Sequence, residues 1–319
     1  MQAPGQYRAW LAERKIESLL YRDGAKVPHR QAVCNTLWAA QRRSLIEILA
    51  ELAVEGVEPI VFKGAAFHSQ FYGSHAIGQM SDLDLLVSPD MLDTSRRCLS
   101  RLGYQQAIFD EERTELVPLS SDALRDEGDH YELYPFLLLE PLDLEPEDGE
   151  NYRYPIADVN GCLHAIIEID LHHAVATNIA GDEFFVRATK GGDGALAMSA
   201  ADHLWFTCSR YYTEVATDGK RSLRDFAYLI PLLVSGTVDW SVVLAANERY
   251  LLYPSLYYYL SFMNWLGEGK LVPVDVLNAL SPALGPRRRD WGWQLGVLFD
   301  AVEPPPFAQL ASPRAARRA

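Results

Sequence analysis

The chain has 319 residues, 49% of them hydrophobic, which is enough to bury a sizeable core in two domains. Its formal net charge of −14 leaves no broad basic face, so a nucleic-acid backbone is not the expected main partner. No run approaches the roughly 20 apolar residues of a membrane span. The charged N-terminus MQAPGQYRAWLAERK does not resemble a signal peptide, and Cys34, Cys98, Cys162 and Cys208 form no C-x-x-C pair. A cytoplasmic protein with free, mostly buried thiols is expected.

Helical periodicity covers 5–22 and 31–55. In the second segment Leu37, Leu45, Ile46, Leu49, Leu52 and Ala53 make an apolar stripe, with Gly56 at the place of a C-cap. Pro59-Ile60-Val61-Phe62 reads as a short buried strand, Ala65–Tyr72 as a short helix stopped by Gly73, and Asp82–Val87 as a second strand. Ser88 as N-cap and Pro89 at the first helical position start a helix running to about Leu102. Residues 104–160 are the least regular part, an acidic insert with a turn-rich loop from Asp143 to Glu150. Tyr134–Leu139 and Leu163–Leu171 look like strands on either side of that loop. From Ser199 the pattern is helical, over 199–215, 221–235, 239–247 and 252–266. The domain reading is a helical extension over 1–30, a mixed α/β domain over 31–198, a helical domain over 199–302 and a flexible tail over 303–319. The basic clusters Arg287–Arg289 and Arg314, Arg317 and Arg318 read as solvated surface charge.

Chemistry concentrates in VFKGAAFHSQFYGSHAIGQMSDLDLLV, residues 61–87. A strand alternates its faces, so Asp82 and Asp84 point one way and Leu83 and Leu85 the other. Neighbouring carboxylates on an apolar strand repel and lose hydration, and a divalent cation between them removes that cost. Mg2+ favours one or two carboxylates plus substrate phosphates. The strand LHAIIEIDL offers a third acid, Glu168 or Asp170. Both face the same side, so spacing does not separate them. Two ions about 4 Å apart need at least three carboxylates, and the third can also serve as general base.

Just upstream, Lys63, Gly64 and Ala65 can offer a charge and backbone N–H groups to phosphates, and Ser81 a hydroxyl. The sequence has no G-x-x-x-x-G-K-[ST] and no G-x-S-x-G. His172 and His173 point to opposite faces of a strand and do not chelate one ion together; one packs and the other caps or contacts substrate. The run Tyr253-Pro-Ser-Leu-Tyr-Tyr-Tyr-Leu reads as core packing.

Together these residues resemble the polymerase-β-like nucleotidyltransferase superfamily, and more closely its uncharacterised bacterial branch of nucleotidyltransferase-family proteins. The resemblance rests on Phe62-Lys63-Gly64, on Asp82-Leu83-Asp84-Leu85-Leu86-Val87 and on Asp170-Leu171-His172. It continues through Leu223-Arg224-Asp225-Phe226-Ala227 and Val238-Asp239-Trp240, and spans roughly 31–280. It implies an α+β fold: a small mixed sheet flanked by helices, then an all-α C-terminal domain. It assigns metal binding and catalysis to Asp82, Asp84 and Asp170, tipping the choice away from Glu168. Lys63, Gly64, Ala65 and Ser81 would line the triphosphate, and Arg224 and Asp225, on a helical wall of the cleft, are further candidates with His172.

The cofactor implied is Mg2+, as two ions with Mn2+ able to substitute, and the co-substrate an NTP, ATP foremost. The expected reaction moves an NMP group to a hydroxyl or similar group of a small-molecule or peptidic acceptor, releasing pyrophosphate, as in antibiotic modification or natural-product tailoring. A protein acceptor, as in a toxin–antitoxin or defence pair, and a catalytically inactive nucleotide-binding module are the alternatives; neither stable nucleic-acid binding nor a membrane is expected. Two departures stand out. The phosphate turn has Gly64-Ala65 where many members have Gly-Ser, and Gly78-Gln79-Met80 stands where the branch usually places an arginine.

Overall fold

A computed structural model describes residues 12, 15–21, 27–125, 130–147, 152–218 and 222–281. They fall into two compact units, one over Ser18–Met198 and one that joins the described residues up to Glu17 to those from Ser199 onward. Most of the expected helix over 5–22, both basic clusters and the 303–319 segment lie outside the described residues; of that helix, Glu17–Tyr21 forms a 3-10 turn.

The first unit is built on one nine-stranded mixed sheet. Helix α1 (His29–Val54) precedes strand β1 (Ile60–Phe62), which passes directly into the short helix α2 (Lys63–Phe67) and a π-helical turn, His68–Tyr72. Strand β2 (Asp82–Leu86) follows, then a 3-10 turn over Pro89–Met91 and helix α3 (Leu92–Arg101). Ser88 stands at the head of that turn without a side-chain capping bond. Its expected capping role is therefore not made.

The span 104–160, expected as an irregular insert, contributes four strands to the sheet. It holds β3 (Gln105–Asp110), β4 (Glu115–Pro118), the single-turn helix α4 (Ser121–Arg125), β5 (Phe136–Pro141) and β6 (Ile156–Val159). The reason for the difference is visible in burial: within β3 and β4 only Ala107 is buried, so these strands show no alternating apolar pattern to read. Strand β7 (Cys162–His172) is the longest, and β8 (Ala174–Ala176), β9 (Ile179–Ala180), α5 (Asp182–Arg187), β10 (Thr189–Lys190) and β11 (Leu196–Ala197) complete the unit. The strand order is β10-β11-β1-β2-β7-β5-β3-β4, with β6 paired to the first part of β7 and β8 and β9 forming a separate hairpin.

The core explains the position of the site. Val61 of β1, Leu83 and Leu85 of β2, and Ile167, Ile169 and Leu171 of β7 share one sheet face and pack with Leu37, Leu45, Ile48 and Leu52 of α1. Burying an aliphatic side chain of this kind is worth about 1.5–3 kcal/mol, so these residues fix which way each strand faces. Their alternating neighbours are thereby presented on the other face. Polar side chains of α1 also tether the 74–81 loop. Gln31 donates to Ala76 O and Gln41 to Met80 O, each at 2.9 Å.

The second unit is helical: α6 (Ala200–Asp218), α7 (Arg224–Val234), α8 (Trp240–Tyr250), α9 (Tyr253–Leu266) and α10 (Val274–Ala279). Asp239 caps α8 by accepting from Ser241 N at 3.0 Å. Tyr258 and Tyr259 of the tyrosine run are buried in the core, with Tyr259 stacked on Tyr211 at 5.3 Å. Among the described residues, no helix is long and apolar enough to cross a membrane.

Candidate metal centre

Strands β2 and β7 run parallel in a register that pairs Asp82 with Glu168, Asp84 with Asp170 and Leu86 with His172. Four carboxylates therefore stand two by two on the sheet face opposite α1. Strand β1 adds Phe62 beside Asp84 in the same row. Asp84 is buried and Asp170 half-buried, while His172 has no exposed surface at all.

Asp84, Asp170 and His172 each offer a ligand atom within 4.8 Å of the others. Asp82 stands outside that group, one step along the strand, hydrogen-bonded to Ser81 Oγ at 2.9 Å. Asp84 Oδ1 receives the Lys63 ammonium and lies 3.0 Å from His172 Nε2. No hydrogen-bond donor among the described residues reaches Asp170, although it is surrounded by acids. Burial comes first, then the charges of Asp84, Asp82 and Glu168, and together they push Asp170 up to about 9 against the opposing pull of Lys63. Glu168 is pushed up to about 7, chiefly by burial, with the Tyr154 hydroxyl pulling it back and Asp82, Asp84 and Glu132 raising it further. Two carboxylates and one imidazole, crowded together with a third and a fourth acid beside them, fit a divalent cation.

A family described as uncharacterised nucleotidyltransferases matches residues 29–267, most of the chain and all of the strands that carry the site. The chain belongs to this nucleotidyltransferase family. No curated protein and no solved structure matches it. Family membership accords with use of an NTP and a divalent metal, and the Asp84–Asp170–His172 group is where this member can hold the metal.

Lys63 enters the site from a strained turn. Its φ is +53°, left-handed backbone that a lysine adopts at a cost of about 1–3 kcal/mol. Gly64, the next residue, is not among the positive-φ glycines, so the special conformation falls on Lys63 itself. That conformation joins the end of β1 directly to α2 and leaves the ammonium beside Asp84, 5.2 Å above the Phe62 ring. Gly64 O receives a hydrogen bond from His68 Nδ1 at 3.0 Å, and His68 Nε2 accepts from Ile77 N, so the helix turn is locked to the loop leading into β2. Ala65 is buried in the core cluster with the same helix.

Arg224 and Asp225 belong to the helical unit, at the start of α7. Asp225 is buried there, and with burial its charge raises the Cys208 thiol. His173, the neighbour of His172, turns away and lies 2.7 Å from His130 O.

Two site residues carried no signal in the sequence. Tyr154 sends its hydroxyl to Glu168 Oε2 from the loop before β6. Glu132 lies in a segment that pairs with the end of β7: Leu133 N donates to Leu171 O, and Glu132 bridges His172. Its Oε2 lies 3.3 Å from His172 Nδ1. Both are brought in by long-range strand pairing, which local pattern does not reveal.

Proposed function

We propose that the chain is a metal-dependent nucleotidyltransferase of the polymerase-β-like kind that moves an NMP group from an NTP, ATP foremost, to a hydroxyl of a small-molecule or peptidic acceptor, releasing pyrophosphate. One observation carries the reading. Asp84 and Asp170 are paired across parallel strands with His172 beside them, and a lysine reaches the same carboxylate from a strained turn. Phosphoryl-type transfer calls for this combination of cation site and adjacent phosphate-binding charge.

Bound there, a divalent ion would neutralise the acids, lower the pKa of the attacking hydroxyl and steady the leaving pyrophosphate. The protein's own groups divide the remaining work. Asp82, Asp84 and Asp170 hold the cation or cations, with Ser81 orienting Asp82. Lys63 turns from Asp84 to the triphosphate once the acids are neutralised, and the Gly64 and Ala65 amides add donors along the same turn. Glu168, raised to about 7, is matched to accepting the acceptor's proton near neutral pH, with Tyr154 fixing its carboxylate.

The test is NTP-dependent pyrophosphate release in the presence of divalent metal and a panel of aminoglycosides, peptides and co-purified proteins. Asp82→Ala with Asp84→Ala should lower release by at least about 100-fold, the loss typical of one transition-state electrostatic contact, with an unchanged circular dichroism spectrum. A variant that unfolds shows the pair to be structural. A folded variant with full release refutes the assignment.

A further inference from the structure

His172 sits between two carboxylates. Its Nε2 lies 3.0 Å from Asp84 Oδ1 and its Nδ1 3.3 Å from Glu132 Oε2, while Tyr131 stacks on one ring face at 5.9 Å and Phe62 meets it edge-on at 4.9 Å. The ring has no exposed surface and cannot turn away. Nδ1 makes no hydrogen bond among the described residues of the metal-free protein, and a carboxylate this close behind it can accept its proton when Nε2 is given to a metal, the arrangement found behind metal-bound histidines. Without a metal, Nε2 is in hydrogen-bonding contact with Asp84 Oδ1, which also receives Lys63. Two neighbouring donors on a six-coordinate ion with bonds of about 2.1 Å stand about 3 Å apart, which is the separation seen here.

Mg2+ takes oxygen ligands, whereas imidazole suits first-row transition ions and Mn2+ also accepts carboxylates and phosphates. We infer that this centre takes a transition ion of the Mn2+ kind in preference to Mg2+, bound through His172 Nε2, with Glu132 as the positioning residue that holds the imidazole from behind. Glu132 suits that role. It arrives from a different part of the chain, its backbone is bridged to His172, and its side chain remains about one-third exposed, so it can be replaced without opening the core.

The inference rests on the metal-holding half of the proposed function and not on the transfer reaction. It is tested on the full-length protein without nucleotide, by electron paramagnetic resonance of added Mn2+ and by competition with Mg2+. The expected result is bound Mn2+ with nitrogen hyperfine coupling, displaced by Mg2+ only at large excess. Glu132→Ala should weaken Mn2+ by about 10–100-fold, the usual cost of losing the group behind a histidine ligand. Glu132→Gln, which keeps an acceptor oxygen for Nδ1–H, should stay within a few-fold of the parent by the same argument. His172→Asn should abolish the nitrogen coupling and the Mn2+ preference.

Because His172 is buried, its variant can fail to fold; the coupling in the unmodified protein and the Glu132 pair then decide. Absence of Mn2+ binding, Mn2+ bound without nitrogen coupling, or an unchanged Mn2+/Mg2+ ratio in Glu132→Ala overturns the inference. Nitrogen-bound Mn2+ in a protein that never releases pyrophosphate would instead overturn the proposed function and leave this inference standing.

Discussion

Asp170→Asn should stabilise the metal-free protein while destroying its metal site. In the fold Asp170 is pushed up to about 9 from an ordinary 3.8, by burial first and then by Asp84, Asp82 and Glu168. The folded value lies above the unfolded one, so between them the native chain keeps a proton that the unfolded chain has released. Stability therefore falls as pH rises through that window. About three units separate the unfolded value from pH 7, each worth about 1.4 kcal/mol, so the native state bears on the order of 4 kcal/mol there, less whatever water entry relieves. Asparagine fills the same volume and does not titrate.

At pH 5 only about one unit remains, and the advantage shrinks to roughly 1 kcal/mol. At about 2–4 °C per kcal/mol for a unit of this size, Tm should rise by on the order of 10 °C at pH 7 and by a few degrees at pH 5. The assay is thermal unfolding with a chelator at both pH values, repeated with saturating divalent metal. The metal should raise the parent's Tm by mass action and leave the variant unmoved. A variant no more stable than the parent at pH 7, or a gain independent of pH, would refute the electrostatic account of the site.

Two further substitutions separate binding from proton transfer. Lys63→Met removes the cation at Asp84 and should raise KM for the NTP by about 10–100-fold, the equivalent of one charged hydrogen bond, as read from steady-state pyrophosphate release. Tyr154→Phe removes the hydrogen bond that pulls Glu168 down, so Glu168 should move up from about 7 and the acidic limb of the pH–rate profile should shift to higher pH. An unmoved limb would take Glu168 out of the reaction.

Much of the site lay in local pattern, and what did not lay in pairing. The alternation of Asp82-Leu83-Asp84-Leu85 and of Glu168-Ile169-Asp170-Leu171 shows that each strand has an acidic and an apolar face. The apolar halves do meet α1 in the core. The parallel register is set by residues more than eighty positions apart, and it alone decides that Asp170 faces Asp84 while Glu168 faces Asp82. Spacing left those two acids equivalent for that reason. The argument that adjacent histidines cannot share an ion holds for His172 and His173. It did not foresee that His172 would meet Asp84 and Asp170, because their proximity again depends on pairing. Strands β3 and β4, at one end of the sheet, escaped because they bury almost nothing. The left-handed turn at Lys63 left no mark in local pattern, because a lysine adopts it only at a cost that an ordinary turn would avoid.

The core and the site are thus specified by the same residues. A slip of one position between β2 and β7 would set Asp84 opposite Ile169 or Leu171 and turn one strand's acids toward α1, against Leu37, Leu45 and Ile48. Unpaired charges in that layer would each cost several kcal/mol, whereas each correctly placed leucine contributes about 1.5–3 kcal/mol to holding the register. Folding therefore assembles an acid-rich face without drawing on the acids themselves, which repel. The packing of α1 against Leu83, Leu85, Ile169 and Leu171 holds the carboxylates at a spacing they would not choose, and that stored repulsion is what a bound cation would relieve.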